Sequence, residues 1–352
     1  MARTIVIIHP GAIGDVLLAV PAIQRLRGRF PQHQSLLVAN ESVGRLLRDA
    51  QQIDAFMSME GAAVADLFAG SVPVAGPLMR WIERCDFAVA WMQDEEGTLA
   101  AVLRNCGVRE ARIQSPFCLE LKARHQSDRF LETLGEPEGD GSIDTCLRIP
   151  GHLVERGQAH LERVGIPAGR PFALVHPGSG SRHKCIGSEV LVLTIERLRE
   201  EGVDPLLIEG PVDGDTVADL LGLMSANTAV LRGLDLALLA GVIAHAELYL
   251  GHDSGVTHLS GLLGVPTVAL FGPTDSERWA PRGGHVTVLR GVLPCECPSW
   301  ELVKACVARP CLAIPVEQLI ALCRVHREDG ATSRNPLRCA LSPPTPYAKV
   351  AS

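Results

Sequence analysis

Residues 4–23 read TIVIIHPGAIGDVLLAVPAI, and residues 172–184 read FALVHPGSGSRHK. Each is an apolar run that ends in His-Pro-Gly and gives way to small residues, and each opens one half of the chain. A strand followed by Pro-Gly turns sharply into a helix, and the free amides at that helix N-terminus bind anions. In open α/β sheets such turns lie outside the carboxyl ends of the strands, where ligands bind. Two copies predict two sheets whose open ends face each other across a cleft.

The rest of the chain fits that pattern. Its 352 residues suit two domains. Apolar runs of strand length, SLLVAN (35–40), DAFMSM (54–59) and DFAVAWM (86–92), follow in the first half. PLLIEG (205–210), AVLRG (229–233), ELYLGHD (247–253) and TVALFG (267–272) follow in the second. Helical periodicity starts near Val16, Ser42 and Val64, and covers about 188–201, 213–225, 235–245 and 255–263. The expected architecture is α/β, with a first domain over 1–150, a second over 151–326 and a mobile, Pro- and Ser-rich tail from 327 to 352. The join is expected within 136–171, where Gly, Pro and acids gather.

Composition narrows the function. A net charge of −7 argues against nucleic-acid binding. Arg25, Arg27, Arg29, Arg45 and Arg48 form a local exception, either a solvated helix surface or a patch for an anionic acceptor or membrane. No secretory signal opens the chain, and the apolar stretch 234–250 is broken by Asp235, His245 and Glu247, so no membrane span is expected. Eleven cysteines without a signal suggest reduced thiols in the cytoplasm. Cys295, Cys297, Cys306 and Cys311 cluster closely enough to hold zinc or iron, the alternative being thiols with no metal.

The two turns differ in chemistry. The second offers Ser179, Gly180, Ser181 and Lys184, with hydroxyls, amides and an ammonium suited to phosphate oxygens. The first offers Asp15 in an apolar setting, either a helix cap or a general base. Asp213-Gly214-Asp215 is an Asp-x-Asp triplet, read here as capping and not as a metal site. Later, residues 251–273 read GHDSGVTHLSGLLGVPTVALFGP, setting Asp253, Ser254, Gly255 and His258 at one strand end.

These stretches resemble glycosyltransferase family nine, the heptosyltransferases of bacterial surface-polysaccharide assembly. The resemblance rests on GAIGDVLLAVPAIQRLR, HPGSGSRHK and GHDSGVTHLSGLLGVPTVALFGPTDSERWAPRG, and spans residues 4 to about 325. It implies a GT-B architecture and inverting, metal-independent transfer of a sugar, typically heptose from ADP-heptose, to a glycan or glycolipid acceptor such as a lipopolysaccharide core. No cofactor beyond the nucleotide-sugar donor is implied, and the location implied is the cytoplasm, with peripheral contact at the inner face of the membrane. By position, Asp15 falls on the general base. Ser179, Gly180, Ser181 and Lys184 fall on the donor diphosphate site, and Leu234 backs the adenine. Asp253, Ser254, Gly255 and His258 form the donor loop, while Glu209 or Asp213 reaches the ribose. Two departures stand out: His252 where the family has Asn, and Ile186-Gly187 where it has Trp-Pro. A nucleotide-sugar epimerase and a catalytically silent nucleotide-sugar-binding protein are the alternatives. A dehydrogenase is disfavoured because neither turn has Gly-x-Gly-x-x-Gly spacing.

Overall fold

The computed structural model describes residues 2–70, 76–117, 124–135, 146–291, 293, 297 and 299–332. The chain divides between residues 145 and 146 into two compact units. In the first unit β1 (Thr4–His9), β2 (Gln34–Ala39), β3 (Ala55–Ser58), β4 (Cys85–Ala90) and β5 (Glu110–Ile113) form a parallel sheet of order β3-β2-β1-β4-β5. Burial follows this order: every residue of β1 is buried, and none of β3 or β5 is. TIVIIH is an unbroken apolar run because helices cover both faces of a central parallel strand. Strand β5 escapes the sequence reading for the opposite reason. It is an edge strand whose Arg112 Nε donates to Glu110 Oε1 at 2.8 Å, so its sequence reads as charged loop.

The second unit repeats the plan with one more strand. Here β6 (Phe172–His176), β7 (Asp204–Glu209), β8 (Ala229–Arg232), β9 (Leu248–His252), β10 (Thr267–Phe271) and β11 (Val286–Arg290) lie in the order β11-β10-β9-β6-β7-β8. All pairs are parallel. Strands β6, β9 and β10 are wholly buried, whereas the edges β8 and β11 each bury one residue. Strand β11 is the second strand not anticipated from the sequence, and it too is an edge. In both sheets the strand order reverses beside the strand that ends in His-Pro-Gly, between β1 and β4 and between β6 and β9.

Local sequence explains the helix boundaries. The first helix, Ile13–Leu18, stops at Ala19, and a second, Val20–Arg29, starts with Pro21 in its first turn. Proline suits that position because its missing N–H has no helical partner there. Asn40 caps Glu41–Asp49 by accepting from the Ser42 amide, and Asp235 caps Leu236–Ile243 by accepting from Leu238. The helix Gly151–Arg163 occupies much of the segment expected as the join, and it packs on the second unit against Leu236–Ile243. Residues 136–145, where Gly and acids are densest, lie outside the described residues. At the far end, the helix Val316–Thr332 extends past the expected start of the tail. Its Arg327 Nη1 lies 3.1 Å from Glu201 Oε2, and Cys323 is fully buried. The rest of the expected tail, from residue 333, lies outside the described residues.

The cysteines depart from the all-reduced expectation. Cys85, Cys106, Cys185, Cys306 and Cys323 are free thiols, but Cys146 is disulfide-bonded. No spacing pattern in the sequence signals that bond. Among the described residues no helix is long and apolar enough to cross a membrane.

The contact between Gly151–Arg163 and Leu236–Ile243 depends on two glycines. A Cβ on Gly157 would stand 2.2 Å from the Gly241 carbonyl carbon, and one on Gly241 would stand 2.1 Å from the Leu153 oxygen. Both obstacles are backbone, so the helices themselves would have to part. Gly157→Ala is therefore expected to cost about 1–3 kcal/mol through overpacking, read as a lower urea midpoint for the second unit's transition.

Candidate functional site

In the first unit, His9 ends β1 and is 1% exposed. Its ring lies 5.7 Å from that of Trp91 and 5.2 Å from that of Phe130. Burial pushes His9 from its ordinary 6.5 down to about 4, so the ring is neutral near pH 7. Its Nδ1 accepts from the Gly11 amide at 3.1 Å, which places the ring proton on Nε2. Both His9 Nε2 and Trp91 Nε1 are buried without a hydrogen-bond partner. Asp15 lies in the first turn of Ile13–Leu18 and caps that helix from inside it. It is half-buried and sits three positions past the N-cap, Ala12, whose amide it holds at 3.0 Å from Oδ2. Gly11 is needed here because a Cβ would meet His9 Cε1 at 2.7 Å and Asp15 Cβ at 2.8 Å.

In the second unit the expected residues gather along the carboxyl edge of the sheet. Leu234 follows β8, Glu209 ends β7, Ser179 to Lys184 follow β6, and Asp253 to His258 follow β9. Since β8, β7, β6 and β9 are neighbours in that order, the residues expected for base, ribose and phosphates are also in order. Lys184 Nζ lies 2.7 Å from Asp253 Oδ2, so the ammonium and the donor loop are tied together. Ser179 is buried, and its hydroxyl donates to the Asp253 carbonyl at 2.6 Å; its one hydrogen is committed to the backbone. Ser181 Oγ accepts from the His183 amide and caps the short turn Arg182–Lys184. A side chain on Gly180 would meet nothing within 4 Å, so the site is open there. Ser254 is the N-cap of Gly255–Leu262, and His258 is buried on that helix. Glu209 is paired with Arg232 at 2.9 Å.

The placing of Asp213 departs from expectation, and two open alternatives narrow. Asp213 does not face a ribose or cap a helix with its side chain. It is buried, and its Oδ2 accepts from the Gly210 amide at 3.0 Å and from His176 Nε2 at 2.9 Å. The Asp-x-Asp triplet is thereby split, with Asp213 inward and Asp215 exposed. Cys311 packs into the second unit's core, and Cys295 lies outside the described residues. Among the described residues, no three His, Cys, Asp or Glu side chains group to hold a metal. The arginines of the first unit fit the solvated-surface alternative, with Arg45 and Arg48 exposed. Arg27 donates to the Gln51 carbonyl, Arg29 to the Leu134 carbonyl, Arg45 to Glu41 and Arg48 to Asp49, the last guanidinium also stacking on Phe56.

The two departures from the family pattern meet in space. His252 Nε2 accepts from the Ile186 amide at 3.0 Å. Burial lowers His252 to about 4, and the neutral ring is what allows Nε2 to accept. Sequence reading missed a further residue, Trp300, in the helix Trp300–Ala305. Its ring centroid lies 5.9 Å from Lys184 Nζ, within cation–π range. An aromatic group thus reaches the lysine from a distant segment, although Ile186 stands where the family has Trp. The only sequence hint was a tryptophan among exposed residues, which has no spacing signature.

Two doubly wound units, one carrying a lysine and helix amides at its switch point, are the parts of a GT-B glycosyltransferase. The sequence model described as "Glycosyltransferase family 9 (heptosyltransferase)" matches residues 103–307, and the chain belongs to that family. It is 27% identical over 288 residues to lipopolysaccharide heptosyltransferase 3 of Escherichia coli, covering 76% of this chain and 83% of the relative. A family 9 glycosyl transferase from Veillonella parvula superposes with a TM-score of 0.77 at 19% identity, covering 93% of this chain and 98% of that one. The E. coli ADP-heptose lipopolysaccharide heptosyltransferase II gives 0.72 at 16% identity, over 93% and 99% of the two chains. These likenesses confirm the GT-B fold.

The two depressed histidines set an acid limit on stability. Between about pH 6.5 and 4 the unfolded chain binds protons that folded His9 and His252 refuse. Their contribution is complete above pH 6.5 and is lost as pH falls toward 4. Urea midpoints are expected to drop across that window, and His252→Asn should flatten the drop for the second unit.

Proposed function

We propose that this glycosyltransferase moves heptose from ADP-heptose to a glycan acceptor such as a lipopolysaccharide core, with inversion and without a metal ion. The observation that carries the reading is the Lys184–Asp253 contact beside the N-terminus of Gly255–Leu262, at the switch point of the second sheet. Membership of family 9 supports the reaction class, and the names of the two E. coli proteins support the donor and the acceptor. Such an acceptor would place the enzyme in the cytoplasm at the inner face of the membrane.

In this reading the acceptor hydroxyl attacks the anomeric carbon from the face opposite the diphosphate, and Asp15 takes its proton. The Ala12 amide holds Asp15 Oδ2 at 3.0 Å, which fixes the carboxylate's direction. The bond from sugar to diphosphate breaks and leaves its electrons on the phosphate oxygen. Lys184, the Ser254 hydroxyl and the amides from Gly255 onward stabilise that charge with fixed dipoles. Ser179, Gly180 and Ser181 shape the turn beneath the phosphates, His258 supports the loop from its helix, and Glu209 and Leu234 serve ribose and adenine. Splitting of the Asp-x-Asp triplet supports leaving charge neutralisation to Lys184.

Asp15→Asn is expected to lower kcat by about 10²- to 10⁴-fold while ADP affinity stays near that of the wild type, measured by a coupled ADP-release assay and by calorimetry. Undiminished turnover would remove Asp15 from the mechanism. In a thermal-shift screen ADP should raise the melting temperature more than UDP or GDP. Saturation at 100 times Kd would add about 2.7 kcal/mol, and EDTA should leave turnover unchanged.

A further inference from the structure

Trp300 is 38% exposed. A lone exposed aromatic ring is ordinary on a protein surface, and this one is set apart by where it is held. Its centroid lies 5.9 Å from Lys184 Nζ. Lys184 belongs to the turn after β6, near the middle of the second sheet, whereas Trp300 follows β11 at the edge. The chain has brought the ring from the edge to the centre.

The surrounding segment holds it there. Ser299 caps the helix Trp300–Ala305 by accepting from the Leu302 amide, and Val303 of that helix is buried. Beyond the helix, Arg309 has φ 42° and ψ 51°, a left-handed conformation that few residues with a side chain adopt. Its Nη1 reaches the Arg182 carbonyl at 3.5 Å, two residues before Lys184. Leu312 then enters the core against the bare face of Gly272, where a Cβ would stand 2.4 Å from Leu312 Cδ2. The segment that carries the ring is thus tied both to the core and to the Lys184 turn. Ile186, by contrast, is buried in that core and gives the edge no aromatic surface.

The ring faces a definite place in the site. An ammonium has three N–H donors, and Asp253 Oδ2, at 2.7 Å, takes one of those on Lys184. Two are left for phosphate oxygens. Groups packed on a ring stand about 3.5–4 Å from it, so at 5.9 Å the ammonium flanks the indole and does not cover it. Whatever is esterified to a phosphate on Lys184 comes within reach of the indole face. Strand order indicates which group that is. Base, ribose and phosphates are read along β8, β7 and the β6–β9 pair, in that sequence. The group bonded to the far phosphate continues the line toward β10 and β11, and Trp300 arrives from that side. In a nucleotide sugar this group is the sugar. The C–H bonds on one face of a pyranose are apolar and slightly positive, and the indole face is apolar and slightly negative.

We propose that Trp300 is the platform on which the sugar of the donor lies. This rests on the reading of the edge as a nucleotide-sugar site. Trp300 is then a specificity residue, touching the transferred group and not the bond that breaks. It distinguishes a nucleotide sugar from the bare nucleoside diphosphate, which ends before it reaches the ring.

The test is calorimetry of ADP and of ADP-heptose, without acceptor, on wild type, Trp300→Ala and Trp300→Phe. Trp300→Ala is expected to weaken ADP-heptose about tenfold and ADP by less than about twofold. Trp300→Phe restores an aromatic face and should recover most of the loss. If Trp300→Ala does not fold, Trp300→Leu carries the test, since it keeps apolar bulk on the helix without a ring. Equal weakening of both ligands would mean that the ring serves only Lys184 or the nucleotide, and would overturn the proposal. Unchanged affinity for ADP-heptose, or no recovery in Trp300→Phe, would overturn it as well. Failure of the wild type to bind either ligand is a separate result, and would overturn the nucleotide-sugar reading and the proposal together.

Discussion

A carboxylate taken out of water is tolerated only where donors replace its hydration. Asp213 imposes that demand on the second unit. Its donors are the Gly210 amide and His176 Nε2, and the space it occupies excludes a side chain at both Gly178 and Gly210. Two residues of the His-Pro-Gly that closes β6 are thus accounted for: His176 meets the acid, and Gly178 makes room for it. After β1 the glycine of the same tripeptide also lies against an acid, Asp15, but the histidine does not bond to it. There His9 is buried against Trp91 and Phe130, and its Nδ1 accepts the Gly11 amide. One sequence device therefore supports a histidine paired with a carboxylate in one unit and a neutral histidine packed on aromatic rings in the other.

The two departures from the family pattern touch one another. A neutral ring at position 252 accepts the backbone amide of residue 186, so the chain after Lys184 is held from below by a group longer than asparagine. Trp300 approaches Lys184 from the chain beyond β11. The lysine keeps an aromatic neighbour, but one on a short helix with a different approach.

Much of this was legible in the sequence, and what was not has physical causes. Central strands such as TIVIIH and FALVH are buried on both faces and announce themselves by unbroken apolarity. The edges β5 and β11 are half-covered, and their mixed composition looks like loop. Residues that gather at the carboxyl edge of the second sheet stood out because strand–turn–helix junctions carry a glycine and hydroxyl signature. Asp213 was misassigned because its position before a helix fits a cap. Its inward turn depends on a histidine thirty-seven positions earlier in the chain, and no local pattern encodes that. Trp300 was missed for the same reason, its partner being a lysine on another strand's turn.

The reversal of strand order that creates each crevice also has a kinetic meaning. Within each sheet, the pair flanking the reversal joins the residues most distant along the chain, as in Ile5↔Phe87 and Ala173↔Leu248. Closing the largest loop carries the largest entropic barrier. During synthesis the β6 turn must wait for β9 to emerge before Ser254 can reach His176 or Asp253 can reach Lys184. The carboxyl edge around β6 and β9 is therefore the late-assembling part of the unit, and a chain stalled before β9 would lack the Lys184–Asp253 contact.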